Sequence, residues 1–171
     1  MDALKSKIRH VPDFPKAGIL FYDVTTLLRD RAGFDQALEA MTAPFRGAGI
    51  DVVAGIESRG FIFGAAVADR LRTGFVPVRK PGKLPAATER VSYDLEYGSD
   101  SLEVHRDAVS QGQKVLIVDD LLATGGTARA TADLIRRVGG TVHALTFMIE
   151  LTGLNGRRKL EGETVVAVLQ Y

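Results

Sequence analysis

The apolar residues of this chain alternate between helical spacing and short continuous runs. Helical spacing predicts amphipathic helices over residues 34–46, 60–72 and 127–138. Short apolar runs predict buried strands over residues 52–56, 75–78, 114–119, 141–149 and 164–169. Strands that alternate with helices form βαβ units, so we predict an α/β fold with a central parallel sheet flanked by helices.

Two stretches interrupt this alternation. Residues 12–26 combine prolines with three aromatic residues before the first βαβ unit, and we interpret residues 1–30 as an N-terminal arm and a small cap. Residues 80–100 are long for a connection inside a compact domain, and such connections are usually functional lids or disordered. We interpret them as a mobile flap. The chain is therefore predicted to be a single domain, residues 1–171, with a cap and a flap.

Composition and charge exclude several classes of protein. The length of 171 residues is that of one domain. The 22 Lys and Arg and the 21 Asp and Glu leave a net charge of +1, so the chain lacks the excess of basic residues that is typical of a nucleic-acid binder. The lack of cysteine excludes disulfides, thiolate metal sites and a cysteine nucleophile. Apolar runs stay well short of the ~18 residues of a membrane span, and the first residues do not resemble a signal peptide. We expect a cytoplasmic protein that binds neither nucleic acid nor membranes.

The strongest chemical signal is the sequence VLIVDDLLATGGT at residues 115–127. An apolar strand leads into Asp119 and Asp120, and ligands of open α/β sheets bind outside the carboxyl ends of the strands. Small residues then lead into a helix N-terminus, where backbone N–H groups and the helix dipole favour an anion such as phosphate. The residues of this loop are Ala123, Thr124, Gly125, Gly126 and Thr127. The alternative is an ordinary turn with Thr127 as the helix N-cap, which the preceding strand and paired carboxylates disfavour.

Commoner phosphate-binding and catalytic motifs do not occur in the sequence. The Gly82-Lys83 pair is followed by Leu84, so it is not a Walker A loop, and no G-x-G-x-x-G supports a dinucleotide fold. Ser58 lies in the sequence ESRG, which lacks the first glycine of a nucleophile elbow. The loop 123–127 therefore indicates a less common class of phosphate site.

The segment 115–127 resembles the phosphoribosyl pyrophosphate (PRPP) binding motif of type I phosphoribosyltransferases. Other segments resemble the adenine phosphoribosyltransferases of that family in order and spacing, so the resemblance covers nearly the whole chain. These segments are DFP at 13–15, GILFYD at 18–23, ESRGF at 57–61, RKPGKLP at 79–85 and YDLEYG at 93–98. One departure is Tyr22, where some members of the family carry Arg.

The resemblance implies that adenine and PRPP give AMP and pyrophosphate, with Mg²⁺ as the cofactor. The loop 123–127 would then bind the 5′-phosphate of PRPP. Asp119 and Asp120 would bind the ribose hydroxyls, directly or through metal-bound water, and would stabilise an oxocarbenium-like transition state. Substrate oxygens and water would hold most of the Mg²⁺ coordination shell, as is usual for this ion, with Asp119 and Asp120 as candidate ligands.

The same resemblance assigns the pyrophosphate to the turn after the strand 52–56 and to a basic segment further along the chain. The Glu57–Ser58 peptide in that turn is expected to be cis. The residues implied are Ser58, Arg59, Arg79, Lys80 and Lys83. For the last three, a solvated basic run is the alternative interpretation.

Adenine would lie between Phe21 and Leu121, and the main chain of Leu20 and Tyr22 would recognise its edge. Glu96 on the flap would be the general acid or base. Phe21 as a core residue of the cap and Glu96 as a solvated flap residue are the alternatives.

Two other functions remain open on the sequence. A phosphoribosyltransferase for 6-oxopurines would share residues 115–127 and recognise its base differently. A non-catalytic regulator that senses PRPP would keep the fold, although such proteins usually carry a DNA-binding domain for which this chain has neither length nor charge. The family also implies a homodimer.

Overall fold

Helices and strands alternate along the residues that the computed structural model describes, 2–94 and 98–171. They follow one another as α1 (Asp2–Lys5), β1 (Arg9–Pro12), β2 (Leu20–Asp23), α2 (Thr25–Leu28), α3 (Arg31–Thr42), β3 (Val52–Ile56), α4 (Gly60–Leu71), β4 (Gly74–Val78), β5 (Thr88–Asp94), β6 (Ser99–His105), β7 (Lys114–Leu122), α5 (Gly126–Arg137), β8 (Thr141–Glu150) and β9 (Val165–Gln170). Short 3₁₀ segments cover Ala43–Phe45, Thr152–Leu154 and Gly156–Leu160. In this described part of the chain, every helix is too short or too polar to cross a membrane.

The centre of the fold is a parallel sheet with the strand order β4-β3-β7-β8-β9. Every residue of β3 is buried, as are most residues of β7 and β8, because the sheet is covered on both faces. Helices α3 and α4 pack on one face, and α5 packs on the other. The predicted α/β fold with a helix-flanked parallel sheet is confirmed.

Two glycines let α4 lie close against β3. A Cβ on Gly64 would lie 3.2 Å from the Gly55 Cα, and a Cβ on Gly55 would lie 3.1 Å from the Gly60 carbonyl oxygen. This close approach carries the first residue of α4, Gly60, against the end of β7, where a Cβ would lie 2.6 Å from Asp119 Oδ1. The packing of β3, α4 and β7 therefore sets the geometry at this edge of the sheet.

The bounds of two elements, α3 and β7, differ from the sequence prediction by more than one residue. Helix α3 begins at Arg31 rather than at residue 34, because Asp30 accepts a hydrogen bond from the Gly33 N–H at 2.6 Å and caps the helix. Strand β7 continues past Asp119 to Leu122, because its last residues pair with β8.

Antiparallel hairpins occupy the two stretches that interrupted the predicted alternation. β1 pairs with β2 in the predicted cap, where Val11 lies opposite Phe21. β5 pairs with β6 across the predicted flap, and Val91 and Leu102 of this hairpin join the core on the α5 side of the sheet. The sequence analysis assigned no strand to either stretch. The mobility of the flap and the single-domain division stay predictions.

Candidate active site

The carboxyl ends of β3 and β7 lie side by side, and a cavity of about 320 Å³ opens at that edge of the sheet. This is where α/β sheets bind their ligands. The cavity is lined by these residues singled out from the sequence: Ser58, Arg59, Lys80, Asp119, Asp120, Leu121, Ala123, Thr124, Gly125, Gly126 and Thr127. The fold thus gathers the turn after β3, the end of β7 and the loop before α5 around one space, called here the main cavity.

Arg59 and Asp120 form an ion pair at the main cavity, from Nε to Oδ2. The Asp120 side chain is only 8% exposed, whereas that of Arg59 is 37% exposed. A carboxylate buried this deeply is strongly destabilising without a partner, so the ion pair fixes the Arg59 guanidinium beside the end of β7. The Glu57–Ser58 peptide just before Arg59 is cis, as the resemblance implies.

Asp119 lies beside this pair, and among residues 2–94 and 98–171 no Lys or Arg forms an ion pair with it. Its Oδ1 accepts a hydrogen bond from the Asp120 N–H at 2.9 Å. Burial raises the pKa of the Asp119 carboxyl well above its ordinary value, and the negative charge of Asp120 raises it further. A cation brought close to Asp119 would relieve both effects.

The loop between β7 and α5 has the geometry of an anion site. Gly125 has a φ of 80°, the left-handed region that favours glycine, and it is the N-cap of the twelve-residue helix α5. A Cβ on Gly125 would overlap the carbonyl oxygen of Gly156, so the loop is packed against the 3₁₀ segment that precedes β9. The helix dipole and the first backbone N–H groups of α5 therefore face the main cavity from a fixed loop.

The predicted basic residues are held by carboxylates around the rim of the main cavity. Lys80 lines the cavity and forms an ion pair with Asp100. Lys83 Nζ lies 2.7 Å from Glu57 Oε1, and Arg79 Nε lies 3.5 Å from Glu57 Oε2. These three cations hold the pKa of the Glu57 and Asp100 carboxyls below their ordinary values, against the opposing effect of burial. Arg79 and Lys83 do not line the main cavity.

A second cavity of about 370 Å³ shares Arg59 with the first. Its walls are mostly apolar and comprise Val11, Phe14, Phe21, Asp23, Thr25 and Arg59. The Arg59 guanidinium carbon lies 5.4 Å from the centroid of the Phe21 ring, within the range of a cation–π contact. The second cavity therefore offers an aromatic surface next to the charged one.

The four residues predicted to bind a base do not share one cavity. Phe21 lines the second cavity, and Leu121 lines the main cavity. The Leu20 side chain is 43% exposed, and the Tyr22 ring packs against Tyr171 with ring centroids 4.4 Å apart. The side chains of Leu20 and Tyr22 therefore point away from both cavities, which leaves their main chains as the groups that could bind a ligand.

Glu57 and Tyr93 lie in segments that carry the family resemblance, but no side-chain role at the site is predicted for either of them from the sequence. The Glu57 carboxylate accepts a hydrogen bond from the Lys80 N–H at 2.8 Å and another from the Lys83 ammonium. Thr127 Oγ1 donates a hydrogen bond to the Tyr93 hydroxyl at 3.2 Å. Glu57 directly precedes Ser58 and Arg59, and that adjacency could have drawn attention to it. Tyr93 reaches the site only through the pairing of β5 with β6, which the sequence analysis did not predict.

Glu96, the predicted general acid or base, lies outside the described residues, together with its neighbours Leu95 and Tyr97. Within residues 2–94 and 98–171, no group of three or more His, Cys, Asp or Glu side chains is arranged to hold a metal ion. Among the described residues that line the main cavity, Glu57, Asp119 and Asp120 carry carboxylates, and that of Glu57 is engaged by the Lys80 N–H and the Lys83 ammonium. The adjacent Asp119 and Asp120 are therefore the candidate ligands for a metal ion.

Replacing Asp119 by Asn should raise the melting temperature of the ligand-free protein. The pKa of Asp119 is raised in the folded state, so its cost to folding is absent below the ordinary aspartate pKa and grows as the pH rises toward the folded-state pKa. The increase in melting temperature over the wild type should therefore be small near pH 4 and larger at pH 8. Each 1 kcal/mol in the free energy of unfolding corresponds to about 2–4 °C. Scanning calorimetry of both proteins across this pH range measures the difference in melting temperature.

The matched control for this measurement is Asp107→Asn, a neutralisation at an exposed aspartate. Its melting temperature should follow that of the wild type at each pH. A melting temperature for Asp119→Asn below that of the wild type at pH 8 would show that the Asp119 carboxylate is well stabilised where it lies.

Comparisons with known proteins agree with this geometry. A profile of the phosphoribosyl transferase domain family matches residues 26–168. The adenine phosphoribosyltransferase of Acidobacterium capsulatum is 58% identical over 170 residues, which cover 99% of this chain and 94% of that protein. The adenine phosphoribosyltransferase of Solibacter usitatus is also 58% identical, over 100% of this chain and 99% of its own.

Solved structures are equally similar. The crystal structure of adenine phosphoribosyltransferase from Thermoanaerobacter pseudethanolicus has a TM-score of 0.97 at 51% identity, covering 99% of both chains. The Saccharomyces cerevisiae enzyme, crystallised with an imino-altritol bisphosphate and adenine, has a TM-score of 0.93 at 39% identity, covering 98% of this chain and 97% of its own. The chain belongs to the phosphoribosyltransferase family and, within it, to the adenine phosphoribosyltransferases.

Proposed function

We propose that this protein acts in purine salvage by transferring the phosphoribosyl group of PRPP to adenine, with release of pyrophosphate and formation of AMP. The observation that carries the proposal is the convergence of Arg59, the Asp119-Asp120 pair and the loop 123–127 on one cavity, next to an aromatic one. The 58% identity to adenine phosphoribosyltransferases supports adenine as the base.

The loop 123–127 is suited to the 5′-phosphate. Its backbone is fixed by the packing of Gly125 against Gly156, and the N-terminus of α5 supplies N–H groups and a favourable dipole. The hydroxyls of Thr124 and Thr127 can donate further hydrogen bonds. For Thr127, this requires exchange of its bond to the Tyr93 hydroxyl.

Asp119 and Asp120 are suited to the ribose. Their oxygens accept hydrogen bonds from the ribose hydroxyls, and their negative charge stabilises the positive charge that develops on the sugar as the pyrophosphate leaves. The raised pKa of Asp119 supports this role, because the cost of ionising it in the free protein falls when positive charge appears beside it.

The pyrophosphate is assigned to Ser58, Arg59, Arg79, Lys80 and Lys83. In the ligand-free protein these cations are paired, Lys80 with Asp100, Lys83 and Arg79 with Glu57, and Arg59 with Asp120. Binding therefore exchanges the carboxylate partners of Arg79, Lys80 and Lys83 for phosphate oxygens. These three side chains are partly exposed, so the exchange is inexpensive, because ion pairs near a surface contribute little. Arg59 keeps its bond from Nε to the buried Asp120 and offers its other N–H groups to the pyrophosphate.

Adenine is assigned to the space that the Phe21 ring borders. Stacking of a base on an aromatic ring is worth about 1–3 kcal/mol. The main chain of Leu20 and Tyr22 recognises the edge of the base, and Leu121 approaches it from the main cavity. Phe21 and Leu121 lie on adjacent cavities that meet at Arg59, so a base between them would place its reacting nitrogen toward the ribose site.

Mg²⁺ is the proposed cofactor. The donor set fits an ion bound mainly by substrate, because the two adjacent carboxylates of Asp119 and Asp120 border the main cavity without a third protein ligand among the described residues. When bound with PRPP, Mg²⁺ would neutralise charge on the pyrophosphate. A homodimer, a cytoplasmic location and the division into cap, flap and one domain are further parts of this proposal, supported by the family resemblance.

The base preference of the purified protein tests this function directly. Adenine offers an amino donor and the acceptor N1, whereas hypoxanthine offers an oxo acceptor and an N1 donor. Main-chain groups that match adenine would face like groups on hypoxanthine, and each buried mismatch costs roughly 1–3 kcal/mol. With PRPP and Mg²⁺, we expect kcat/KM for adenine to exceed that for hypoxanthine or guanine by at least about 10³-fold.

The outcomes of this assay separate the competing functions. Comparable turnover of hypoxanthine would replace adenine by a 6-oxopurine and leave PRPP as the other substrate. Binding of PRPP without turnover of any purine base would favour a regulator over an enzyme. Since the recognition is by backbone groups, Tyr22→Phe should keep the preference for adenine.

Replacing Glu96 by Gln tests the proposed proton transfer. The amide keeps the size and much of the hydrogen bonding of the carboxyl group but cannot exchange a proton with the base. We expect a loss of about 10²–10⁴-fold in kcat, measured at saturating adenine and PRPP. Glu89→Gln, on strand β5, is the matched control and should keep kcat within about twofold. An unchanged kcat in Glu96→Gln would remove Glu96 from the chemistry.

A further inference from the structure

The β1–β2 hairpin carries Phe21 yet forms a sheet of only two strands. A hairpin of this kind is marginally stable on its own, so its position depends on what it packs against. Phe21 lies opposite Val11, and both face the second cavity. Because side chains alternate along a strand, the next cross-strand pair, His10 and Tyr22, faces the other side of the hairpin.

Tyr171, which follows β9, packs against that other side. Its ring centroid lies 4.4 Å from that of Tyr22 and 5.5 Å from that of His10. The Lys5 ammonium lies 4.9 Å from the Tyr171 ring centroid, from helix α1. The Tyr171 ring is therefore packed between the β1–β2 hairpin and helix α1.

The main chain of Tyr171 is tied to the end of β8. Its N–H donates a hydrogen bond to the Glu150 carbonyl at 3.0 Å. Its carbonyl accepts hydrogen bonds from the Thr152 N–H at 2.9 Å and from the Thr152 hydroxyl at 2.8 Å. The ring thus has a fixed place relative to the central sheet, and the hairpin is docked on that fixed point.

The hydroxyl of Tyr171 takes no part in this docking. It is buried and has no hydrogen-bond partner among the residues that the structure describes. Burial also raises the pKa of the Tyr171 hydroxyl, and Tyr22 raises it further. A phenylalanine ring should therefore serve the same purpose as the tyrosine ring.

We propose that Tyr171 is a positioning residue for the base: its ring docks the β1–β2 hairpin on the sheet and so holds Phe21 and the main chain of Leu20 and Tyr22 where adenine binds. This inference rests on the proposed function. It predicts an effect on adenine and not on PRPP, because the PRPP-binding groups are held by other elements: the loop 123–127 by β7 and α5, and Arg59 by its ion pair with Asp120. If Tyr171 only stabilised the fold, its replacement would not change the KM for adenine separately from the KM for PRPP.

The test compares Tyr171→Leu with Tyr171→Phe in steady-state assays of both substrates. Tyr171→Leu removes the aromatic contacts, and the KM for adenine should rise by about three- to tenfold, the range that such ring pairs support. The KM for PRPP should stay within about twofold of the wild type. Tyr171→Phe should match the wild type for both substrates.

The matched control is Phe34→Leu. The partly buried Phe34 ring packs edge-on against the Phe63 ring, with ring centroids 5.9 Å apart, where α3 meets α4. Among the described residues, the aromatic contacts of Tyr171 are with Tyr22 and His10 and do not include Phe34. This variant should melt at a lower temperature with both KM values unchanged. Tyr22→Leu breaks the same contact from the hairpin side and should raise the KM for adenine as Tyr171→Leu does. The double variant should be little worse than either single one, as expected for two partners in one contact.

An unchanged KM for adenine in both Leu variants at the contact, or an equal rise for both substrates, would overturn the inference. If Tyr171→Leu does not fold, the KM for adenine of Tyr22→Leu tests the same contact. A wild-type protein that forms no AMP from adenine and PRPP would overturn the proposed function and this inference together. An active wild type with unaffected variants would overturn this inference alone.

Discussion

The ion pair between Arg59 and Asp120 connects the parts of this molecule on which the proposed chemistry depends. It joins the turn after β3 to the end of β7, and the 8% exposure of the Asp120 side chain makes a partner necessary. Arg59 is also the shared wall of the two cavities and contacts the Phe21 ring. The close packing of α4 on β3, which Gly55 and Gly64 permit, holds the turn in place. Without this pair, the charged and aromatic cavities would lose their common boundary.

Charge at the site is arranged for an absent ligand rather than for the stability of the free protein. Asp119 is half-buried beside the buried Asp120, and both its removal from water and the neighbouring negative charge make its ionised form costly. The basic residues around the cavity are meanwhile paired with Glu57 and Asp100, which holds them in place. In the proposed reaction, phosphate oxygens would compete for them. A substrate with several negative charges and a developing positive charge fits both halves of this arrangement. Proteins commonly accept such local costs at functional sites.

The sequence could predict the sheet and the loop 123–127, because both depend on local patterns: continuous apolar strands, and small residues between a strand and a helix. It could not predict contacts between distant parts of the chain. The docking of Tyr22 on Tyr171 joins residues at opposite ends of the sequence, and Glu57 pairs with Lys83 across strand β4. The capping of α3 by Asp30 was a local signal that the prediction of a start at residue 34 overlooked. Chain order also gave no sign that Phe21 and Leu121 border separate cavities.

In the proposed reaction, the carboxylate pair at the end of β7 faces the reacting sugar. The most direct measurement is kcat/KM of the double variant Asp119→Asn/Asp120→Asn with adenine and PRPP, with folding checked by circular dichroism. One such electrostatic contact in a transition state is worth about 2.7–4 kcal/mol, so the account predicts a loss of well over tenfold in a folded protein. Near-normal turnover by the folded double variant would contradict it and place the chemistry elsewhere.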